Sequence, residues 1–430
     1  MIALGLVAVS CKKNIDPQPV TITIQLMNGA EKFAVEGVNV LLSDDPQTFT
    51  MGVATDANGV ATFTVAPGSY SASVSYTTSK EGQRLVYSGS LPTMLVSEMS
   101  ELTKSFNMTL NEVATQQIVI KEFYNGGCPK EPSGSYSNDA YFILYNNSEF
   151  EADATDIVFG TLSGNSNSTN KYYDENGVLI FEKADWIPAY SAIWSFGRTV
   201  TIPAYSQIVV ALFGAIDHTA TIPASVDLSD ASYFWMQKNE QFTNSKYNVS
   251  DNIPAANYLS CVPFNKGNAW VVSNSSPAVF IGKMPKAQAE ALVSNTANYD
   301  TTLGEGDVNW RVKFPKANVI GCLEVYNASA ISDSKVRFSA DVNTGYVALS
   351  NKLGYSIYRN VDKEATEALA ENKGKLVYDY AGGTTDDEGT TDPSGIDAEA
   401  SIANGAHIIY KQTGNSGNDF HQRRVASIKK

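Results

Sequence analysis

Between Val20 and Leu26 apolar and polar residues alternate strictly, and a period of two has one structural meaning: successive side chains point to opposite faces of an extended strand. Val20, Ile22, Ile24 and Leu26 then share a face that has to be covered. The same grammar continues. Val38–Leu42 follows Asn28-Gly29 and is stopped by Ser43-Asp44-Asp45-Pro46. Asp56-Ala57-Asn58-Gly59 is turn chemistry, with Gly59 free to take positive φ, and Pro67-Gly68 makes the next corner before Tyr70–Val74. A calcium loop beginning at Asp56 needs a bidentate Glu at its twelfth position, where Pro67 stands, so the hairpin turn is preferred. Helical periodicity is almost absent from Val20 to Leu110.

A chain of 430 residues has room for two or three domains with proper cores. Charged residues make up only 18%, below the usual quarter, while Gly and aromatics are plentiful, a balance common in exported β-proteins. The net charge of -14 argues against nucleic acid and against a patch for acidic lipids, since both would repel it. Cys128, Cys261 and Cys322 permit at most one internal disulfide. They are widely spaced, and the only histidines are His218, His407 and His421, so neither a zinc site nor any cofactor is expected. There is no Gly-x-Ser-x-Gly elbow, no phosphate loop and no dinucleotide fingerprint. Glycosidases need only two carboxylates, which no acid-rich sequence excludes. The expectation is a non-enzymatic binding or accessory protein, with a carboxylate-based glycan hydrolase and a structural adhesin or matrix protein as rivals.

Ile2 to Val9 are apolar or small and run into Ser10-Cys11-Lys12-Lys13, a junction that resembles the lipobox of bacterial lipoproteins. Residues 1–10 then read as a truncated signal peptide and 11–19 as a tether lipidated at Cys11. The apolar run is less than half of the roughly 20 residues that cross a bilayer. Acyl chains would anchor the protein instead, each buried methylene adding about 0.8 kcal/mol. The implied address is the outer membrane, periplasmic or surface-facing, with the membrane as partner through Cys11 and an outer-membrane receptor or a glycan as further candidates.

Residues 20–112, through Thr55–Tyr70 above all, resemble the carboxypeptidase regulatory, or transthyretin-like, group of Ig-like sandwiches. The polar link Asn111–Thr115 leads into a second region, 116–430. There Gln117–Gly127 and Asn138–Ser148 resemble the opening of lamin-tail-like domains, the latter through its Asp-x-Tyr…Leu-Tyr-Asn-x-Ser pattern. Val200–Ala211 is similar to that family's Ile-Pro-Ala-Gly turn and strand, with Tyr205 in place of the Gly. A more particular resemblance is to the DUF4876 group of Bacteroidetes lipoproteins, which joins two such regions and ends in a tail like Asn415–Phe420. It implies a mostly β fold, an N-terminal Ig-like sandwich plus a larger lamin-tail-like β-sandwich with a few short helices, and it brings no known activity.

Four Ile-Pro-Ala tripeptides, at Ile187, Ile202, Ile222 and Ile253, read as starts of edge strands that proline blunts. Ser163–Asn170 and Lys238–Asn252 read as surface loops. Pro285–Val293 and Lys363–Ala370 are the only two segments expected to be helical. The acidic stretch 382–399 is expected to be solvated, with Arg423, Arg424, Lys429 and Lys430 loosely attracted to it. Trp186, Tyr190, Trp194, Tyr233, Trp235, Trp270 and Trp310 fall in or beside turns. Planar rings of this kind either fill a core or lie flat against sugars. For a sugar platform the choice is Tyr233, Trp235 and Phe242, aromatic amid Asn and Gln.

Overall fold

The structure, a computed structural model, describes residues 18–44, 49–97, 102–168, 170–236, 239–248, 251–302, 309–378 and 391–429. Cys11, the signal-like run and most of the expected tether lie outside the described residues. The fold is mostly β, with several sheets and a few short helices, and divides into two compact units, Met1–Thr115 and Gln116–Lys430.

The first unit contains β1 (Val20–Asn28), β2 (Glu31–Lys32), β3 (Asn39–Asp44), β4 (Thr50–Ala54), β5 (Val60–Val65), β6 (Gly68–Lys80), β7 (Gln83–Val96) and β8 (Thr103–Gln116). They pair in the order β2-β1-β8-β7-β6-β3-β4, and β5 pairs with β1. Val20, Ile22, Ile24 and Leu26 are fully buried, the one-sided burial that their alternation demands. Three strands separate β1 from β3 in the order, yet Ile22 and Val40 share one core, so the sheet folds over itself. At the hairpin turn, Asp56 accepts from the backbone N–H groups of Asn58 and Val60, both at 2.9 Å. Gly59 has φ +74°, and a Cβ there would come within 1.9 Å of Phe33 O, so no other residue fits the turn.

The second unit is built on β9 (Ile118–Tyr124), β10 (Tyr141–Asn146), β11 (Ile157–Thr161), β12 (Ala192–Ser195), β13 (Gln207–Ala211), β14 (Phe234–Met236), β15 (Tyr258–Pro263), β16 (Ala278–Lys283), β17 (Val319–Asn327), β18 (Val347–Leu349), β19 (Ser356–Arg359) and β20 (Phe420–Arg423). These form one sheet ordered β18-β17-β16-β11-β12-β15-β14-β13-β10-β9-β19-β20. Its two ends come back together. Leu323 and Val325 of β17 share a core with Ile118 and Ile120 of β9 and with Ile357 of β19.

The two quoted motifs of this unit meet through one side chain. Asn146 donates to the carbonyls of Phe150, Ile202 and Pro203 at 2.6, 2.9 and 3.1 Å, tying the Leu-Tyr-Asn-x-Ser strand to the Ile-Pro-Ala turn. Tyr205, where the lamin-tail pattern has Gly, takes the left-handed conformation that favours glycine, φ +52°, and its ring stacks on His407 at 4.4 Å.

Several sequence expectations are corrected. Only Pro188 of the Ile-Pro-Ala set lies within a strand, the edge strand Trp186–Tyr190; Pro203, Pro223 and Pro254 fall in turns or just before a short helix. The stretch 238–252 is not a surface loop throughout, because Phe242 and Tyr247 turn inward to the core. The helices α1 (Lys286–Ser294) and α2 (Lys363–Glu367) are joined by α3 (Ala398–Ala403) and α4 (Ser416–Asp419). These two are too short to show a period, and each begins because a side chain, Asp397 or Asn415, accepts from its first N–H groups. The described end of the acidic stretch is packed, not solvated. Asp392 accepts from Val361 N at 2.9 Å, and Glu399 meets the buried Lys121 at 2.6 Å. Arg423 is likewise buried, not loosely attracted: burial works to lower its pKa, yet Tyr358, Glu122, Glu399 and Asp397 hold it above the ordinary value.

Candidate functional site

The rings chosen from the sequence mostly belong to the core. Trp194 and Trp270 are fully buried and meet edge to face, 6.2 Å between centroids. Trp235 is buried, and its ring nitrogen donates to Phe213 O at 2.7 Å. Phe242 is buried and stacks with Tyr247. A sugar cannot lie on a ring that protein covers on both faces, so Trp235 and Phe242 are corrected from ligand contacts to core residues. Tyr233 is half-buried beside Trp235, whereas Phe242 sits in a different cluster; the three do not converge. Of the remaining rings, Trp186 is half-buried under Lys313, and Trp310 lies against Tyr299.

A more constructed site lies where the ends of the large sheet meet. A cleft of about 430 Å³ opens between the first residues of β17 and the segment 412–419, with Val119 of β9 and Arg359 of β19 also in its lining. The closing of the sheet puts these groups together, although β17 and β19 stand near opposite ends of the strand order.

Two cations line the cleft and they are held differently. Lys316 donates to the Asp341 carboxylate at 2.9 and 3.1 Å and to Glu182 O at 3.0 Å. Arg359, only 4% exposed, donates from Nε to Ile120 O at 2.6 Å and from Nη1 to Lys411 O at 2.7 Å. The Asp419 carboxylate stands 3.5 Å from Nη1, longer than a good charge-assisted bond. Asp419 is itself occupied by Thr413, accepting from the backbone N–H at 2.9 Å and the hydroxyl at 2.8 Å. Across the β19–β20 pair, the guanidinium lies 4.1 Å from the Phe420 ring centroid. Burial draws the Arg359 pKa down to about 10, so the group keeps its charge at neutral pH.

The opposite wall is hydrogen-bonded into place. Asn343 accepts from Ser416 N at 2.8 Å and from its hydroxyl at 2.9 Å, and the same hydroxyl accepts from Glu324 N at 3.0 Å. Asn415 Oδ1 accepts from Gly417 N at 2.9 Å. A Cβ at Gly345 would come within 2.0 Å of that oxygen, so any larger residue there would push the Asn415 amide from its place. Cys322 donates to Val342 O at 3.5 Å, and burial pushes its thiol up, away from the thiolate a nucleophile needs.

With these contacts made, two donors are left over. Nη2 of Arg359 and Nδ2 of Asn415 have no acceptor among the described residues, and both residues line the cleft. Among the described residues no three of His, Cys, Asp and Glu gather as they would around a metal ion. The choice of site residues from sequence missed Arg359, Lys316 and Asn415, yet a signal was present. The tail Asn415–Phe420, quoted only as a family likeness, supplies Asn415, Ser416 and Asp419 to the cleft lining and the ring beside Arg359.

Residues 205–394 match the model of DUF4876, a family of proteins of unknown function, which bears out the likeness to that family over this part of the second unit. The fold is similar to the crystal structure of a DUF4876 family protein from Bacteroides thetaiotaomicron, with 19% identity, 94% of each chain covered and a TM-score of 0.58. A DUF3823 family protein from Parabacteroides merdae aligns at 9% identity over 63% of this chain and 92% of that one, with a TM-score of 0.17. The search of curated proteins finds no match.

Proposed function

We propose that this chain, whose second unit carries a DUF4876 region, is an exported binding or accessory protein, anchored by lipid at Cys11 to the outer membrane, that takes a small polar ligand in the cleft beside Arg359. The observation that carries the reading is the state of the lining. Its walls are fixed by side-chain hydrogen bonds that join segments distant in sequence, and two donors remain over for something else to satisfy. A site of this kind is preorganised to bind, since its ordering cost is met in folding. The nucleophile that lines it is held as a neutral thiol, which favours capture over covalent chemistry. Anchorage rests on the Ser10-Cys11 junction, and no helix among the described residues is long and apolar enough to cross a membrane.

Two measurements test the reading. Saturation-transfer NMR against a panel of mono- and disaccharides and small acids, on the chain bearing Cys11→Ser, should show contact for a subset. Ala317→Trp, at an exposed position on the cleft lining, should abolish that contact. A panel without signals, or signals that survive Ala317→Trp, would remove the cleft from the proposal. Separately, native chain should take up labelled palmitate and sediment with membranes, whereas Cys11→Ser should do neither; equal sedimentation would end the lipoprotein reading.

A further inference from the structure

We infer that the ligand of this cleft carries a carboxylate, received end-on by Nη2 of Arg359 with Nδ2 of Asn415 beside it. The inference rests on the proposed binding role and narrows it to a class of small organic acids. Its first support is a count of hydrogen-bonding groups. The cleft's carboxylates already accept, Asp341 from Lys316 and Asp419 from Thr413, and the carbonyl oxygen of Asn415 accepts from the backbone of α4. Nη2 of Arg359 and Nδ2 of Asn415 are left without an acceptor among the described residues, and a ligand that satisfies them has to bring acceptors.

The second support is charge. Lys316 has a close carboxylate partner, while Arg359 is almost wholly buried with its nearest carboxylate at 3.5 Å. A buried guanidinium with so loose a counter-ion gains strongly from a closer anion, because little water competes for it. With Nε and Nη1 committed to the carbonyls of Ile120 and Lys411, the side-on fork is closed and Nη2 is left for end-on contact. A carboxylate brings two acceptors and one negative charge to these two donors, whereas phosphate brings more oxygens and more charge to a cleft that already holds Asp341 and Asp419. The apolar part of the lining, Val319, Ile320 and Val342, leaves room for the body of a monosaccharide-sized acid.

The test uses the full chain bearing Cys11→Ser, calorimetry and four probes: D-glucuronate, D-glucose, acetate and inorganic phosphate. Glucuronate should bind at least tenfold more tightly than glucose, with acetate competing and phosphate weaker than either acid. Arg359→Gln should lose the preference for glucuronate. Because removing a buried cation can unfold the chain, Asn415→Asp provides a second arm. It keeps the oxygen that caps α4 but replaces the donor with a charge, and should weaken glucuronate at least tenfold while leaving thermal stability nearly unchanged. If glucose binds as well as glucuronate and both are lost in Ala317→Trp, the binding role survives and the carboxylate is refuted. Phosphate binding tighter than glucuronate would refute it equally, and an absence of binding by all four probes would count against the carboxylate itself.

Discussion

Asn360 fixes the proton of His421. Its amide nitrogen donates to Asn418 O at 2.7 Å, which leaves Oδ1 to accept from His421 Nδ1 at 2.6 Å. Burial, with the nearby Arg423 charge adding to it, holds the imidazole down to about 3, so it is neutral in the folded protein at every ordinary pH. The unfolded chain takes up a proton near 6.5 and the folded one near 3, so between these values unfolding is accompanied by proton uptake. The contribution is fully present above about pH 6.5 and is lost as the pH falls, by up to about 1.4 kcal/mol per unit. Asp139, Asp392 and Glu324, raised by burial, lean the other way, and a comparison of two proteins cancels them. Urea unfolding of wild type and His421→Asn should show a stability gap at pH 7.5 that shrinks or reverses at pH 5. A gap independent of pH would refute the assignment.

Pairing across strands shows what the sequence could and could not carry. In β11, Gly160 stands opposite Phe280 of β16, and the ring lies so close that a Cβ on Gly160 would be 2.1 Å from Phe280 Cζ. Gly160→Ala should therefore cost about 1–3 kcal/mol as the ring is driven from its place. Gly267→Ala, which meets only ordinary contacts from 3.4 Å, should change stability by under about 0.5 kcal/mol. Equal shifts in denaturation midpoint would contradict this account. Nothing around Gly160 in the sequence announces Phe280, 120 residues away. The alternation of β1 was legible because strand geometry is local, and so was the Asp56–Gly59 turn. The cleft was not, because it exists only once the ends of a twelve-stranded sheet close, and Arg359 sits there in a segment with no motif of its own. The Trp235 region misled for the same reason: amid Asn and Gln it reads as a surface, yet the sheet covers it.

At the scale of the molecule, each unit has its own apolar core, and no residue of the Ile22–Leu110 cluster belongs to the clusters of the second unit. Cores that share no side chains have no packing reason to melt together, so two transitions are expected, not one. The distribution of tryptophan allows the point to be tested without cutting the chain. All five, Trp186, Trp194, Trp235, Trp270 and Trp310, lie in the second unit, so their fluorescence reports on that unit alone, while far-ultraviolet dichroism reports on both. Leu26 is fully buried in the first core, and Leu26→Ala should destabilise that unit by about 2–5 kcal/mol. Part of the dichroism change should then move to lower denaturant while the fluorescence midpoint stays where it was. Gly160→Ala should do the converse, shifting fluorescence and leaving the remaining dichroic transition in place. If Leu26→Ala displaces the fluorescence midpoint as far as the dichroism, the two cores unfold as one cooperative body, and the stability of the cleft depends on a unit that contributes no residue to it.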